Sequence, residues 1–265
     1  MIDFKVDKEK CTHCGLCSSD CPVLIIDRTT EFPTIKDGKE EVCLKCQHCL
    51  AVCPEGAISI WGKNPENSIP APKNPMGSAD LEVLIQTRRS IRRYKKQEVD
   101  KELIHRLVSI AAYAPTAKNE NAVKMTLIDS SERMARLRTL SYQNIGKAFE
   151  SKAIPPSKMY LNNYREVWES KGVDVLFRNA PHMLICSAPK DGTLPMHDAT
   201  IATSYFEILA NANGIGTLWD GFAKYVFEDA IFEMKDELGI PENQLVVAVL
   251  VFGYPAVNFA RSIQN

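Results

Sequence analysis

Two groups of four cysteines dominate residues 1–61. Each group reads C-x-x-C-x-x-C-x-x-x-C-P, and the two groups consist of Cys11, Cys14, Cys17 and Cys21, then Cys43, Cys46, Cys49 and Cys53. Three thiolates at the first three positions wrap a loop around one face of a cubane cluster, and the fourth points towards a second cluster. The repeated spacing therefore predicts two [4Fe–4S] clusters and a role in electron transfer.

The order of the cysteines also predicts how the ligands are shared. In two-cluster ferredoxins the fourth cysteine of each motif binds the distant cluster. We therefore expect Cys11, Cys14, Cys17 and Cys53 to bind one cluster, and Cys43, Cys46, Cys49 and Cys21 to bind the other. We expect each fourth cysteine on a short helical turn. Residues 1–61 resemble the bacterial two-cluster ferredoxins, with short strands expected at Phe4–Val6, Val23–Ile26, Pro33–Ile35 and Ala57–Ile60.

Two other uses of paired cysteines agree less well with the sequence. A disulfide framework is typical of an exported chain, whereas the opening MIDFKVDKEK has no apolar signal segment. Zinc would take C-x-x-C pairs and leave the third and fourth cysteines of each group unused. The ninth cysteine, Cys186, lies in an apolar run and is expected in the core.

A change of composition separates this segment from the rest of the chain. Residues 62–77 contain four prolines and no apolar periodicity, which predicts a semi-extended linker. A second domain is expected at residues 78–265, with Ser78, Asp100 and Ser131 as helix N-caps. Helices at 198–213 and 227–238 and a buried strand at Gln244–Phe252 alternate there with shorter elements. The pattern predicts an α/β or α+β domain.

A basic run follows the first helix of the second domain. Six of the nine residues from Arg88 to Lys96 are lysine or arginine. Guanidinium groups next to the Ser90 hydroxyl could bind a phosphate, because arginine binds phosphate oxygens in a bidentate way. The same run could instead be a solvated, charged helix end.

Four motifs, in order, resemble the nitroreductase family of flavoproteins over roughly residues 79–265. They are the R-x-S motif at Arg88–Ser90 with Arg92, the loop 114–123, the glycine-rich stretch 214–222, and Gly253–Pro255 followed by Arg261. The loop departs from the family pattern, because Asn121, Ala122 and Val123 replace the usual Gln-Pro-Trp. The resemblance implies an α+β domain that holds FMN at the interface of a homodimer.

The resemblance also implies roles for particular residues. Arg88, Ser90, Arg92 and Arg261 would bind the phosphate and ribityl chain, and the expected cofactor-binding set also includes Arg89 and Asn119. Pro115, Thr116 and Ala117 would approach the flavin from the other subunit, while Asp220 and Gly221 would lie beside the flavin ring near N5. No side chain is expected to be a catalytic acid or base, because the flavin performs the chemistry in this family.

Together these features predict an FMN-dependent oxidoreductase. We expect an external ferredoxin or another low-potential donor to reduce the clusters, which reduce FMN, which then reduces a nitro compound, quinone or activated alkene. One alternative is an NAD(P)H-dependent nitroreductase with the clusters as an electron outlet, and another is a non-catalytic electron carrier or redox sensor. The net charge of −1 argues against a nucleic-acid partner. The absence of a long apolar run predicts no membrane partner and a cytoplasmic protein.

Overall fold

The computed structural model describes residues 2–71, 77–230 and 233–263. Backbone contacts divide the chain into two compact units: unit 1 comprises residues 1–76 and 118–120, and unit 2 comprises residues 77–117 and 121–265. Within the expected linker, Lys63 forms a β-bridge with Ile60 and Pro65–Asn67 forms a 3₁₀ turn. The expected linker also includes residues 72–76, which lie outside the described residues.

Unit 1 has two small antiparallel sheets and two one-turn helices. Strand β1 (Phe4–Val6) pairs with β4 (Ile58–Ile60), and β2 (Ile26–Asp27) pairs with β3 (Thr34–Ile35). Helices α1 (Leu16–Ser19) and α2 (His48–Ala51) each begin after a residue in the left-handed region, which turns the cysteine loop sharply into the helix.

Each fourth cysteine begins a single hydrogen-bonded turn but lies outside the helices. The Leu24 N–H donates to the Cys21 carbonyl at 3.0 Å, and the Gly56 N–H donates to the Cys53 carbonyl at 3.2 Å. The helices carry the third cysteines, Cys17 and Cys49, and they end before Cys21 and Cys53. Each fourth cysteine directly precedes a proline, and the ring of a following proline disfavours helical backbone at the residue before it. The two prolines therefore explain why both helices end before the fourth cysteine.

Unit 2 is built around one four-stranded antiparallel sheet with the order β5-β6-β8-β7. Its strands are β5 (Lys124–Ile128), β6 (His182–Pro189), β7 (Gly216–Trp219) and β8 (Gln244–Gly253). Its helices are α3 (Ser78–Thr87), α4 (Lys101–Ala111), α5 (Ser131–Glu150), α6 (Tyr160–Lys171), α7 (Pro195–Ala212), α8 (Gly221–Tyr225) and α9 (Glu233–Glu237). This arrangement confirms the α+β fold class.

Alternating residues of the two central strands fill separate cores on the two faces of the sheet. Met183 and Ile185 of β6 belong to the core beneath α5 and α6, whereas Leu184 and Cys186 belong to the core beneath α4 and α7. Cys186 is 1% exposed, so it is a core residue as expected. Burial on both faces explains why β8 reads as an uninterrupted apolar run.

Three helix predictions need correction. Asp100 caps α4 as expected, but α5 is capped by Ser130 rather than Ser131, and the N-cap of α3 is Gly77, without a side-chain cap. The helix predicted at 227–238 is replaced by a turn of π-helix at Val226–Ala230 and by α9, while residues 231–232 lie outside the described residues. Within the described ranges, the helices are all too short or too polar to cross a membrane.

Candidate functional site

The eight motif cysteines are free thiols at different depths. Cys17, Cys21 and Cys49 are buried, Cys14 is exposed, and the other four are half-buried. The buried cysteines pack among apolar residues of the unit 1 core, which include Ile25, Ile26, Leu50, Ile58 and Ile60. A thiolate in such surroundings needs nearby positive charge, because burial alone favours the neutral thiol.

The electrostatics of the buried thiols show which cysteines are neighbours. Burial is the main cause that raises the pKa of Cys17, and the charges of Cys53, Cys14 and Cys11 raise it further. Burial likewise raises the pKa of Cys49 to about 11, with further contributions from the charges of Cys46, Cys21 and Cys43. Each third cysteine therefore has as its neighbours two cysteines of its own motif and the fourth cysteine of the other motif.

A cavity in unit 1 is lined by Cys21, Cys43, Cys46 and Cys49, together with apolar residues. Within the described part of the chain, no three Cys, His, Asp or Glu side chains converge in the way that one metal ion requires. A cubane cluster does not need such convergence, because each of its thiolates binds a different iron atom. The Sγ atom of Cys53 also accepts a hydrogen bond from the Ala57 N–H at 3.2 Å, an interaction that tunes cluster potentials.

In unit 2 the basic run lies beside β7 and the end of β8. The Ile91 N–H donates to the Thr217 carbonyl at 2.9 Å, and the Lys95 N–H donates to the Tyr254 carbonyl at 2.8 Å. This close packing requires a glycine at position 216, because a Cβ there would lie 2.4 Å from Cγ1 of Ile91. The glycine-rich stretch and the basic run therefore meet directly.

Arg88 and Arg89 line an open pocket of about 390 Å³, here called the Arg88 pocket. Its other walls include residues 214–216 and 257–259. Arg88 lies 3.4 Å from the Glu207 carboxylate, which also accepts a hydrogen bond from the Trp219 indole at 3.0 Å. The Nη2 atom of Arg89 is buried and has no hydrogen-bond partner within the described ranges. An unpaired buried guanidinium nitrogen is costly, and an anionic ligand would satisfy it.

Asp220 lies between β7 and α8 and lines a second pocket, of about 370 Å³, here called the Asp220 pocket. Its Oδ1 atom accepts from the Ala223 N–H at 2.9 Å, while the buried Oδ2 atom has no partner among the described residues. Burial raises the pKa of Asp220 to about 7, the Ala223 N–H opposes this rise, and the Asp174 charge adds to it. Asp220 can therefore hold a proton near neutral pH.

The Asp220 pocket brings together three of the residues expected to bind the cofactor: Arg92, Asp220 and Gly221. It also contains Phe222 of the glycine-rich stretch 214–222, and three side chains that the sequence did not indicate: Lys158, Tyr160 and Arg178. Lys158, Tyr160 and Arg178 come from residues 145–180, where the sequence shows no clear motif. The one sequence signal for these three residues is the high content of aromatic and basic residues in this segment.

The remaining expected cofactor-binding residues line neither pocket of unit 2. Asp198 accepts from the Ala117 N–H at 3.0 Å, and the Thr116 hydroxyl accepts from the Asn121 N–H at 3.0 Å. Asn119 groups with unit 1, where its side chain donates to the Leu44 carbonyl at 3.0 Å. Ser90 is half-buried next to the arginines, Arg261 is exposed, and Pro115 precedes Thr116 in the loop.

Two family models match the chain. The nitroreductase family matches residues 85–254, and a 4Fe-4S dicluster domain matches residues 10–58. A putative NADH dehydrogenase/NAD(P)H nitroreductase from Archaeoglobus fulgidus is 27% identical over 65% of this chain and 83% of its own length. A protein of the same description from Methanothermobacter thermautotrophicus is 25% identical over 68% of this chain and 79% of its own length.

Solved structures show the same fold. A nitroreductase with bound FMN from Bacteroides fragilis has a TM-score of 0.57 and 18% identity, covering 70% of this chain and 95% of its own. One from Desulfitobacterium hafniense, also with bound FMN, has a TM-score of 0.55 and 19% identity, covering 72% and 95%. The family match spans most of the chain and confirms the resemblance drawn from the arginine and glycine motifs. This chain belongs to the nitroreductase family and carries a 4Fe-4S dicluster domain ahead of its nitroreductase domain.

Proposed function

We propose that this protein is a flavin-dependent oxidoreductase that takes electrons from a ferredoxin-type donor. The electrons pass through two [4Fe–4S] clusters to FMN and then to a small organic acceptor such as a nitro compound, a quinone or an activated alkene. The observation that carries the proposal is the union, in one chain, of a dicluster domain with a nitroreductase-family domain. Joining donor and acceptor domains in one chain raises the effective concentration of the electron donor.

The cysteine arrangement supports two clusters with exchanged fourth ligands. The neighbours of Cys17 and Cys49 form two sets of four thiolates, and one set lines a cavity in the core of unit 1. Four like charges at such a site repel one another, and the iron of a bound cluster would offset that repulsion. The residues present therefore fit the cofactor.

The two pockets of unit 2 support FMN as the second cofactor. The Arg88 pocket offers two guanidinium groups, one with an unpaired buried nitrogen, and these suit a phosphate. The Asp220 pocket offers Arg92, Asp220 and Gly221, which suit the polar edge of a flavin ring. Bound FMN would supply reversible transfer of one or two electrons.

The chain's own residues would then position the cofactor and supply protons. Glu207 holds Arg88 through an ion pair and anchors the Trp219 indole, so it orients one wall of each pocket. Asp220 can carry a proton on Oδ2 at neutral pH, next to the place where an acceptor would be reduced. Tyr160 and Phe222 supply half-buried aromatic surface to the wall of this pocket.

We also propose that the protein is a homodimer. Several apolar side chains of α3 face solvent in the single chain, notably Leu81, Val83 and Ile85, and α3 has no buried residue. A helix with an uncovered apolar surface is typical of an interface. The exposed residues Met196 and Tyr205 of α7 extend the apolar surface available for pairing.

NAD(P)H as the electron donor is the second candidate. The observation that favours it is the description of both archaeal relatives as putative NADH dehydrogenase/NAD(P)H nitroreductases. A non-catalytic carrier is less well supported, because a pure carrier does not need a ligand-sized pocket such as the one around Asp220.

Anaerobic turnover of a nitro compound, a quinone and an activated alkene tests the proposal. Each acceptor is offered with reduced ferredoxin, NADH or NADPH in turn. We expect reduced ferredoxin to support turnover in the intact protein and to lose this ability in the Cys14→Ala/Cys46→Ala variant. Turnover that requires NAD(P)H and is unaffected by the cysteine substitutions would contradict the proposal and support the second candidate. No turnover with any donor would support a carrier.

A further inference from the structure

The Asp220 pocket contains two cations for which the proposed electron route has no use. Lys158 and Arg178 line it together with Arg92, whereas Asp220 is the only acidic residue among its lining residues. Both additional cations come from the segment between α5 and β6, so they belong to a wall separate from the basic run at residues 88–96. This excess of positive charge favours an anion in the pocket.

The backbone around Arg178 is held in an unusual conformation. Arg178 and Asn179 have φ angles of 58° and 52°, in the left-handed region that residues other than glycine rarely adopt. Such a conformation persists only where the surroundings enforce it, and it is common at ligand-binding positions. Here the buried Asp174 carboxylate accepts from the N–H groups of Phe177 and Asn179, each at 2.9 Å.

The carboxylate that holds this turn is itself firmly anchored. Arg138 donates to Asp174 at 2.6 Å and also to the Ala180 carbonyl at 3.2 Å. The Tyr142 hydroxyl donates to Asp174 at 2.9 Å and accepts from the Leu176 N–H at 2.9 Å. The guanidinium of Arg178 therefore projects from a rigid backbone, close enough to Asp220 to lower the pKa of that carboxyl.

The aromatic rings of Tyr160 and Phe222 form another part of the wall, and the Tyr164 ring, which does not line the pocket, packs against both. The rings of Tyr160 and Phe222 lie 5.6 Å apart, and the ring of Tyr164 lies 5.2 Å from that of Phe222. The Lys158 ammonium lies 5.8 Å from the centre of the Tyr160 ring. Aromatic walls next to a cation suit a planar ligand that ends in a negative group.

We propose that the Asp220 pocket accepts a planar aromatic or conjugated carboxylate, with Arg178 and Lys158 binding the carboxylate group. The inference rests on the proposed function, because it names the chemical class of the acceptor that the oxidoreductase reduces. The aromatic rings hold the flat part of the ligand, and the two cations select acids over neutral analogues. The group that is reduced is a nitro, quinone or activated-alkene group on the same acid. For a conjugated acid, the C=C bond becomes a C–C single bond with two electrons from the donor of the proposed function and two protons that come ultimately from solvent.

The test compares binding of 2-naphthoate and 2-naphthamide to the FMN-loaded protein by isothermal titration calorimetry. Neither compound carries a nitro, quinone or activated-alkene group for the enzyme to reduce, so the readout is independent of turnover. We expect the acid to bind about tenfold more tightly than the amide, since a charge-assisted pair to arginine is worth more than a neutral contact. Arg178→Gln and Lys158→Gln should each remove most of this preference, and Arg178→Lys should restore part of it.

Lys171→Gln, at the exposed end of α6, is the matched control and should retain the preference. Equal binding of acid and amide by the unaltered protein would overturn the inference. So would loss of FMN from the Arg178→Gln protein, because Arg178 would then bind the cofactor. Failure of the proposed function would appear separately, as absence of turnover with every donor and acceptor while the preference for the acid is retained.

Discussion

Replacing Asp220 with asparagine should make the protein more stable, with a large gain at alkaline pH and a much smaller gain in mild acid. The carboxyl is 4% exposed, and burial raises its pKa from 3.8 to about 7. Between these two pH values the unfolded chain loses the proton while the folded chain keeps it. The free energy of unfolding therefore falls as the pH rises through this window, and above about pH 7 the full penalty applies.

The size of the penalty follows from the shift in pKa. The rise in pKa from 3.8 to about 7, at roughly 1.4 kcal/mol per pH unit, corresponds to about 4 kcal/mol. Asparagine has nearly the same shape, and its Oδ1 atom can still accept from the Ala223 N–H. The substitution therefore removes the charge and retains the cap of α8.

Thermal unfolding followed by tryptophan fluorescence, at about pH 5 and pH 8, measures the effect. A gain of about 4 kcal/mol at pH 8 corresponds to roughly 8–16 °C in a domain of this size. At pH 5, which is only slightly above the unfolded pKa of 3.8, the gain should fall to about 1.6 kcal/mol, or roughly 3–6 °C. Asp191→Asn, at an exposed position, is the control and should shift neither midpoint. An equal shift of the Asp220→Asn protein at both pH values would refute the reasoning.

Three further substitutions test other parts of the account. Cys21→Ala should lower the iron content, measured under argon, from about eight to about four atoms per chain. An unchanged iron content would exclude Cys21 as a cluster ligand. Arg138→Met leaves the Asp174 carboxylate buried without its cation, so it should lower the free energy of unfolding by about 3–5 kcal/mol in urea titrations. A loss below about 1 kcal/mol would contradict a stabilising role for the ion pair between Arg138 and Asp174. Gly216→Ala forces a methyl group against Ile91, so it should lower the free energy of unfolding by about 1–3 kcal/mol and release FMN on dialysis. Full retention of FMN would contradict the requirement for close packing between Gly216 and Ile91.

The features that were readable from the sequence are those set by local spacing. The cysteine motifs needed only a repeated pattern, and the family resemblance rested on short motifs in chain order that the family match confirms. The strand predicted at Gln244–Phe252, which extends to Gly253 in the structure, was evident because burial on both faces leaves an unbroken apolar run. The α+β fold class followed from the resemblance and is confirmed by the antiparallel sheet.

The features that were not readable depend on contacts between distant residues. The position of Arg178 is determined by Asp174, whose partners Arg138 and Tyr142 lie in α5. The π-helical turn at 226–230 escaped prediction because its apolar residues continue the helical pattern on either side. Within that turn the Glu228 carboxylate accepts from the Val246 N–H at 2.6 Å, a long-range contact without a local sequence signal.

The buried polar groups of the two pockets likewise depend on contacts between distant residues. The unpaired atoms of Arg89 and Asp220 are apparent only once the neighbouring segments are packed around them. The sequence motifs identified both residues through the family pattern. The reason for their importance, an unsatisfied buried polar atom at the edge of a pocket, is a property of the fold.

The order in which the cofactors are reduced shows whether electrons reach FMN through the clusters. Anaerobic stopped-flow mixing with reduced ferredoxin follows the clusters and the flavin at separate wavelengths. We expect the clusters to be reduced first and the flavin afterwards, and we expect flavin reduction to fail in the Cys14→Ala/Cys46→Ala variant. Reduction of the flavin before the clusters, or at an unchanged rate in the variant, would contradict the claim that electrons reach FMN through the clusters.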